Sequence, residues 1–394
     1  MTMGSGRSIA LYDSSNISQF DCALSGAAEA VREYFAPLIS AGSREYVANT
    51  DAAMALVDID GCLVPITINQ GPYTEQSFVA SPYNHFITYF KEELDRIRYP
   101  IIKWFLKSTV SLAGWFAKHA LIDRVIVVNN WLLSTNPGLA IDCEQAGRLT
   151  AFLTDRFPNH AIVFRNMDDK LSAPLRDCLK RTGYRMIVGR LVFIIDIAQG
   201  KYLKRNDHKI DQALLRKTDL IQGDKASIAD DDLARLLALY DQLYLDKYSK
   251  NNPNYTLKYF KHLLSCRLPE FVCFRYGQDI ASFGMWILLN DVLYASLAGY
   301  DLSQPRRLGA YRAIMAAEVA ESVGRAAFFH LSAGAGKFKR LRGAEPVLEY
   351  YAIHDRHLPV WRRLPWAILA VFFNGMAGIL AMLNRLKLIR PNVV

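Results

Sequence analysis

The stretch Ser332–Gly343, read SAGAGKFKRLRG, sets a run of small residues from Ser332 to Gly336 ahead of Lys337, Lys339, Arg340 and Arg342. Small residues let backbone N–H groups approach an anion, and the cations then neutralise it. A solvated basic turn accounts for the same cluster. A second cationic turn, Arg306-Arg307-Leu308-Gly309-Ala310, opens a predicted helix whose N-terminus suits a phosphate. Glu349 shares a strand face with Val347, Tyr351 and Ile353 by the two-residue period. A carboxylate there is either paired with a cation, Arg340 or Arg342 being at hand, or has a raised pKa useful to a general base. Tyr300, at a strand end beside Asp301, is a candidate proton donor or substrate contact, or a plain strand-end aromatic. Tyr248 and Asn252 in the run YSKNNP, and Asn129-Asn130 at another strand end, are candidates for an acceptor site. Ordinary capping and turn roles explain those four equally well.

The elements that must position these residues divide by period. In the first half, Phe20–Phe35 is a predicted helix, and Ala53–Ile59 and Cys62–Ile68 flank Asp60-Gly61 as a hairpin. Predicted helices over Asn84–Ile97 and Tyr99–Leu121 lead to a strand at Arg124–Val128. A helix (Cys143–Asp155), a strand (Ala161–Arg165), a helix (Lys170–Thr182) and a strand (Tyr184–Asp196) follow. The polar segment 197–230 reads as a linker. Helices at Asp231–Tyr248 and Leu257–Leu264 open the second half. Three strands, Phe271–Tyr276, Ile280–Leu289 and Val292–Tyr300, then form a meander around tight turns. A helix after Gly309, a strand at Ala326–Leu331, the basic turn and the strand Pro346–Ile353 complete it. The expected fold is α/β with mixed sheets, as two related units at 1–205 and 206–358 and a hydrophobic C-terminal helix over 359–394.

Composition narrows the partners. The 394 residues are 51% hydrophobic and 12% aromatic, ample for packed cores, which excludes a disordered chain. A net charge of +9 favours an acidic partner. The six cysteines are dispersed without a C-x-x-C pair, so neither a zinc site nor a disulfide framework is expected, and a reducing, cytoplasmic setting follows. Leu364–Leu383 carries no charge and is flanked by Arg362-Arg363 and by Arg385, Lys387 and Arg390. Its length suits a bilayer, whereas Asn374, Gly375 and Gly378 suit a close-packed helix equally.

The order of elements at Tyr300–Ile353 resembles the GNAT acyltransferase superfamily, and its branch with the Fem peptidyltransferases in particular. The residues that carry this are Gly334, Ala335 and Gly336, then Phe338-Lys339 and Gly343, matching a small-residue strand end followed by aromatic-Lys-x-x-x-Gly. The resemblance covers about 235–355 and is architectural only over 45–196. It implies two GNAT-like units and transfer of an acyl or aminoacyl group from a thioester, on CoA or a carrier protein, or from aminoacyl-tRNA, to a small-molecule amine. Lys339 would stabilise the oxyanion, Glu349 would be base or orienter, and no cofactor would stay bound. The donor-binding set would be Arg306, Arg307, Gly309, Ala310, Ser332, Gly336, Lys337, Arg340 and Arg342. Tyr311 departs from the small residue expected at its place in the acetyl-CoA loop, which leaves donors other than acetyl-CoA open. Two other readings stand beside this one: an acyltransferase peripheral to the inner face of an anionic membrane and making an amino lipid, or a non-catalytic module binding RNA or a carrier protein. His119 and Asp123 have the H-x-x-x-D spacing of some glycerolipid acyltransferases, but they sit at a helix–strand junction and are discounted.

Overall fold

The computed structural model describes residues 8–20, 26–71, 76–95 and 99–385. Twelve strands form one mixed sheet. In the first half they are β1 (Ile9–Tyr12), β2 (Ala53–Ile59), β3 (Cys62–Asn69), β4 (Val125–Val128), β5 (Ala161–Asp168) and β6 (Arg185–Asp196). In the second they are β7 (Ile221–Asp224), β8 (Pro269–Tyr276), β9 (Asp279–Leu289), β10 (Val292–Tyr300), β11 (Phe328–Ala333) and β12 (Glu345–His354).

The order across the sheet is β1-β2-β3-β4-β5-β12-β6-β11-β10-β9-β8-β7. From either edge inward the pattern is the same. Four strands run antiparallel, and a fifth lies parallel to the fourth, β5 beside β4 and β11 beside β10. A parallel neighbour needs a crossover, supplied by the helices Cys143–Arg156 and Ala310–Ser322. The internal repeat expected from the order of elements is therefore present as topology. The sixth strands are exchanged: β12 lies against β5, β6 lies against β11, and the two pair with each other at the centre.

Several local expectations change. The first helix is Ala27–Ala41, because the apolar face continues through Phe35, Leu38 and Ile39; residues 21–25 of the expected helix lie outside the described residues. The next is a π-helical stretch, Asn84–Tyr89, continuing as Phe90–Leu94. The segment 197–230 is not a linker: it holds a helix, Asn206–Leu215, and the edge strand β7. Asp211 anchors that helix, buried between Arg312 (2.7 Å) and Arg342. Ser332–Gly343 is a strand end and a one-turn-and-a-half helix, Gly336–Leu341, in place of a basic turn. Cys143 and Cys178 form a disulfide that joins two neighbouring helices, which corrects the expectation of unpaired cysteines. Fold brings them together across a separation of 35 residues that no motif spacing marks.

The hydrophobic C-terminal run belongs to a helix, Val360–Arg385. Trp366, Leu369, Ala370 and Phe373 bury one side of it with Val125, Val163, Ile187 and Tyr351 of the sheet. Asn374 pins it further, accepting from the Val188 N–H and donating to the Met186 carbonyl, both at 2.9 Å. Among the described residues no helix is long and apolar enough to cross a membrane.

Candidate active site

β10 and β11 are paired only from Val292–Phe328 to Tyr294–His330. Beyond that pair they part, so Ala295–Tyr300 has no strand on that side. Both strands distort there. β10 slips register against β9 between Ala295 and Leu297, and β11 slips against β6 between His330 and Ala333. Ser332 takes the left-handed conformation, φ 61°, within the second slip. A parted edge of this kind offers backbone groups to an amide-bearing chain.

Lys339 closes the end of β11. Its ammonium is buried and donates to the carbonyls of Leu331 (2.6 Å), Ser332 (3.3 Å) and Ala333 (2.7 Å), which uses all three N–H groups. Burial pushes its pKa down to about 7; Arg190 adds to this and Glu318 opposes it. Glu318, on the helix Ala310–Ser322, is also buried, and burial pushes its carboxyl up to about 8 against the pull of Lys339. Glycine at 284 makes the room: a Cβ there would come within 2.8 Å of Glu318 Oε1.

Glu349 meets neither Arg340 nor Arg342. Its partner is Arg190, opposite it on the exchanged strands, with Nε at 2.7 Å from Oε1 and Nη2 at 3.2 Å from Oε2. Burial opposes the charged carboxylate, yet Arg190 and a hydrogen bond from Asn166 hold its pKa below the ordinary value. The same guanidinium donates to the Ser134 carbonyl (2.7 Å) and Thr135 Oγ1 (2.9 Å), and Thr135 donates to Ser332 Oγ (2.6 Å). One arginine thus ties the loop after β4 to β12 and to the end of β11. Gly189, beside it, leaves space for the Tyr351 ring, 2.9 Å from where a Cβ would stand.

Tyr294 and His330, the last pair before the strands part, wall a cavity of about 190 Å³ together with Asn136, Asn166 and Asp168. Asn136 Nδ2 and Asn166 Oδ1 have no hydrogen-bond partner. His330 Nδ1 accepts from the Ser332 N–H at 3.1 Å, and burial pushes its pKa down to about 4, so the imidazole is neutral with its proton on Nε2.

Of the residues expected to bind a donor, Gly309 begins the helix Ala310–Ser322 at φ 63° with no side-chain cap and no acid in the first turn. Ala310 is its first residue and Arg307 is exposed nearby; the side chain of Arg306 lies outside the described residues. The other cations diverge. Arg342 is taken by Asp211, with Nη2 at 3.0 Å, and stacks on Phe338. Arg340 lies over the Phe193 ring, Gly336 packs on that same ring, and Lys337 is exposed. Lys337–Arg342 is therefore not one phosphate-facing cluster, because two of its cations are buried on their own protein partners.

Tyr300 packs against Tyr311 of the helix Ala310–Ser322, the rings tilted with centres 5.5 Å apart. Tyr248 is exposed. The three asparagines proposed for an acceptor site are spent internally. Asn252 donates to Tyr244 and Ser249 carbonyls, and Asn129 donates to Pro137 and accepts from Trp131. Asn130 joins Thr67, Val79, Leu132 and Arg165. Asp123 accepts from Ser81 and the Tyr83 N–H while His119 turns to the Trp115 carbonyl, so that pair never meets. Among the described residues no group of His, Cys, Asp and Glu is placed to hold a metal ion.

Sequence reasoning missed Arg190, Glu318, His330, Asp168, Asn136 and Asn166. Two of them carried a signal. Arg190 is a cation in the middle of the apolar strand RMIVGRLVFIID, directly after a glycine. Glu318 lies four residues from Ile314 and seven from Tyr311, inside the apolar stripe of its helix.

No family model matches the chain, and no curated protein matches it. Among solved structures, FemX is similar at 9% identity and TM-score 0.44, over 56% of this chain and 80% of that one. L-PGS from Bacillus licheniformis is similar at 14% and 0.41, over 62% and 82%. A tandem GNAT protein from the clavulanic acid biosynthesis pathway is similar at 8% and 0.40, over 88% and 98%. Similarity at this level follows the run of the chain and carries no chemistry.

Proposed function

We propose that the chain is an N-acyltransferase of GNAT/Fem-like architecture, with units at 1–205 and 206–358 that each lend a strand to the other. The observation that supports this best is the parting of β10 and β11 directly beside the cavity of Tyr294 and His330. An acyl thioester, on CoA or a carrier protein, would lay its amide-bearing arm along Ala295–Tyr300, with phosphate at the start of the helix after Gly309. An aminoacyl ester on tRNA is the other donor of matching chemistry. A small amine would approach the parted edge through the cavity, where Asn166 Oδ1 offers an acceptor.

The amine nitrogen attacks the acyl carbonyl carbon, and unpaired N–H groups of the parted edge take the oxyanion. Glu318, which borders the parted edge beside Gly284 opposite Ala298, would accept the amine proton there once deprotonated. Collapse breaks the carbon–sulfur bond and releases the thiol, protonated from solvent, leaving an amide. Lys339 holds the end of β11 in place through the Leu331 and Ala333 carbonyls, while Glu349 orients Arg190. The test is thiol release from an acyl-CoA panel with mixed amines. Loss of turnover in Glu318→Gln and Lys339→Met supports the reading, and near-normal donor turnover in Lys339→Met sinks the role given to Lys339.

A further inference from the structure

The helix Pro100–His119 is seated on the protein by one narrow stripe. Only Val110, Gly114 and Ala117 are buried, and Gly114 lets the helix approach Ile87 closely, a Cβ there falling 2.8 Å from its Cγ2. The rest of its apolar surface faces outward: Ile101 is 81% exposed, Trp104 70%, Phe105 61% and Trp115 55%. The helix Val360–Arg385 packs beside it in the same layer over the sheet. That second helix buries Trp366 and Phe373 and turns Trp361, Leu364 and Val371 outward. Isolated exposed apolar side chains are ordinary; a continuous two-helix face with exposed tryptophans is not.

Charge selects the occupant. Neither helix contains an Asp or Glu, whereas Lys103, Lys107, Lys118, Arg362 and Arg363 all belong to them. Arg362 is used internally on the Leu121 and Asn159 carbonyls, and Lys103 and Lys107 share the exposed Asp95. Lys118 lies over the Tyr83 ring. Apolar and aromatic side chains bordered by cations complement the acyl boundary and phosphates of an anionic bilayer. At 20 residues the helix Pro100–His119 is roughly 30 Å long, enough to lie in the interface without crossing.

We propose that these two helices form a docking face for an anionic lipid surface, with Pro100–His119 lying in the interface and the Trp361 end of the second helix beside it. The face does not depend on the acyl-transfer reading, since none of its exposed residues belongs to the candidate site. Its inner layer nevertheless reaches the site, because Phe373 packs at an angle on Phe86 and Phe86 lies edge-on to Tyr351, whose ring fills the space at Gly189 beside Arg190.

The experiment is sedimentation of the full chain with vesicles of 3:1 phosphatidylcholine and phosphatidylglycerol, and with phosphatidylcholine alone. The wild-type protein should partition onto the anionic vesicles, with affinity falling on adding salt. The double variant Trp104→Ser/Trp115→Ser should bind at least about tenfold more weakly, a loss of ~1.4 kcal/mol, with an unchanged melting temperature because both rings are exposed. Equal affinity of wild type and variant, or no binding to the anionic vesicles, overturns the proposal. So does a wild-type dimer that the same substitutions dissociate, since the face would then belong to a second copy.

Discussion

Arg190 and Glu349 face each other across the two strands that the halves of this molecule exchange, with both carboxylate oxygens on one guanidinium. The pair lies at the centre of the twelve-stranded sheet, with Glu349 buried and Arg190 largely so, and its role is judged by removing one partner or both. Glu349→Leu alone leaves a largely buried guanidinium with only the Ser134 and Thr135 bonds and should cost up to about 3–5 kcal/mol. Arg190→Met/Glu349→Leu should recover most of that loss. Urea unfolding of the three proteins measures it, and a double variant no better than the single would show that the pair contributes more than mutual neutralisation.

Glu318 carries a pH signature. Its folded pKa of about 8 lies above the ordinary 4.5, so its contribution to stability is full below about pH 4.5 and is lost as pH rises through about 8. Glu318→Gln should therefore raise the unfolding midpoint at pH 8–9 relative to wild type and change it little at pH 4. If the same carboxyl is the proton acceptor proposed above, turnover should climb through about pH 8. The Gln variant should be slower by roughly 10²–10⁴ and lose that climb. A wild-type rate that is flat from pH 6 to 9 would remove Glu318 from the chemistry.

Gly309 tests the donor side. Its φ of 63° disfavours any side chain, and a Cβ would come within 2.5 Å of Leu214 Cδ2. Gly309→Val should lower the affinity for a CoA thioester at least about tenfold, read by calorimetry. Adding Leu214→Ala restores space without restoring the backbone conformation, so affinity should remain low. Full recovery in that double variant would place the obstruction at Leu214 and leave the helix N-terminus uninvolved.

The C-terminal helix predicts opposite outcomes for two tryptophans five residues apart. Trp366 is buried in the core that covers β4, β5, β12 and β6, and Trp366→Ala should cost about 3–5 kcal/mol. Trp361 is more than half exposed, and its replacement by Ala should stay within about 0.5 kcal/mol. Thermal unfolding of each variant separates them. Deleting residues from 360 onward would consequently expose core, and changed fractionation of such a truncation would report unfolding as readily as lost attachment.

Local patterns were legible in the sequence. Asp60-Gly61 turns β2 into β3 as its dipeptide predicts, and the meander from β8 to β10 follows from alternation and tight turns. The face of Glu349 was legible from period two, and its partner was not, because Arg190 lies 159 residues earlier on a strand whose neighbours are set by the whole topology. Asp211 reads as one charge among many in a polar run until two distant arginines close on it. Lys339 was found by its motif, while the direction of its ammonium, onto three carbonyls, depends on the kink at Ser332. Hydrophobicity in the C-terminal run was plain, but which side of the helix is covered is decided by the sheet beneath it.

Exchange of β6 and β12 bears on how the chain is made. Asp169 and Tyr350 meet although 181 positions apart in the chain, so when the first half leaves the ribosome β5 has a bare edge awaiting a strand not yet translated. β6 is in the same position, since both its neighbours, β11 and β12, come later. Until the last of these strands emerges, those open edges can also pair with strands of another nascent chain, so chain crowding on a polysome is a specific risk for this fold.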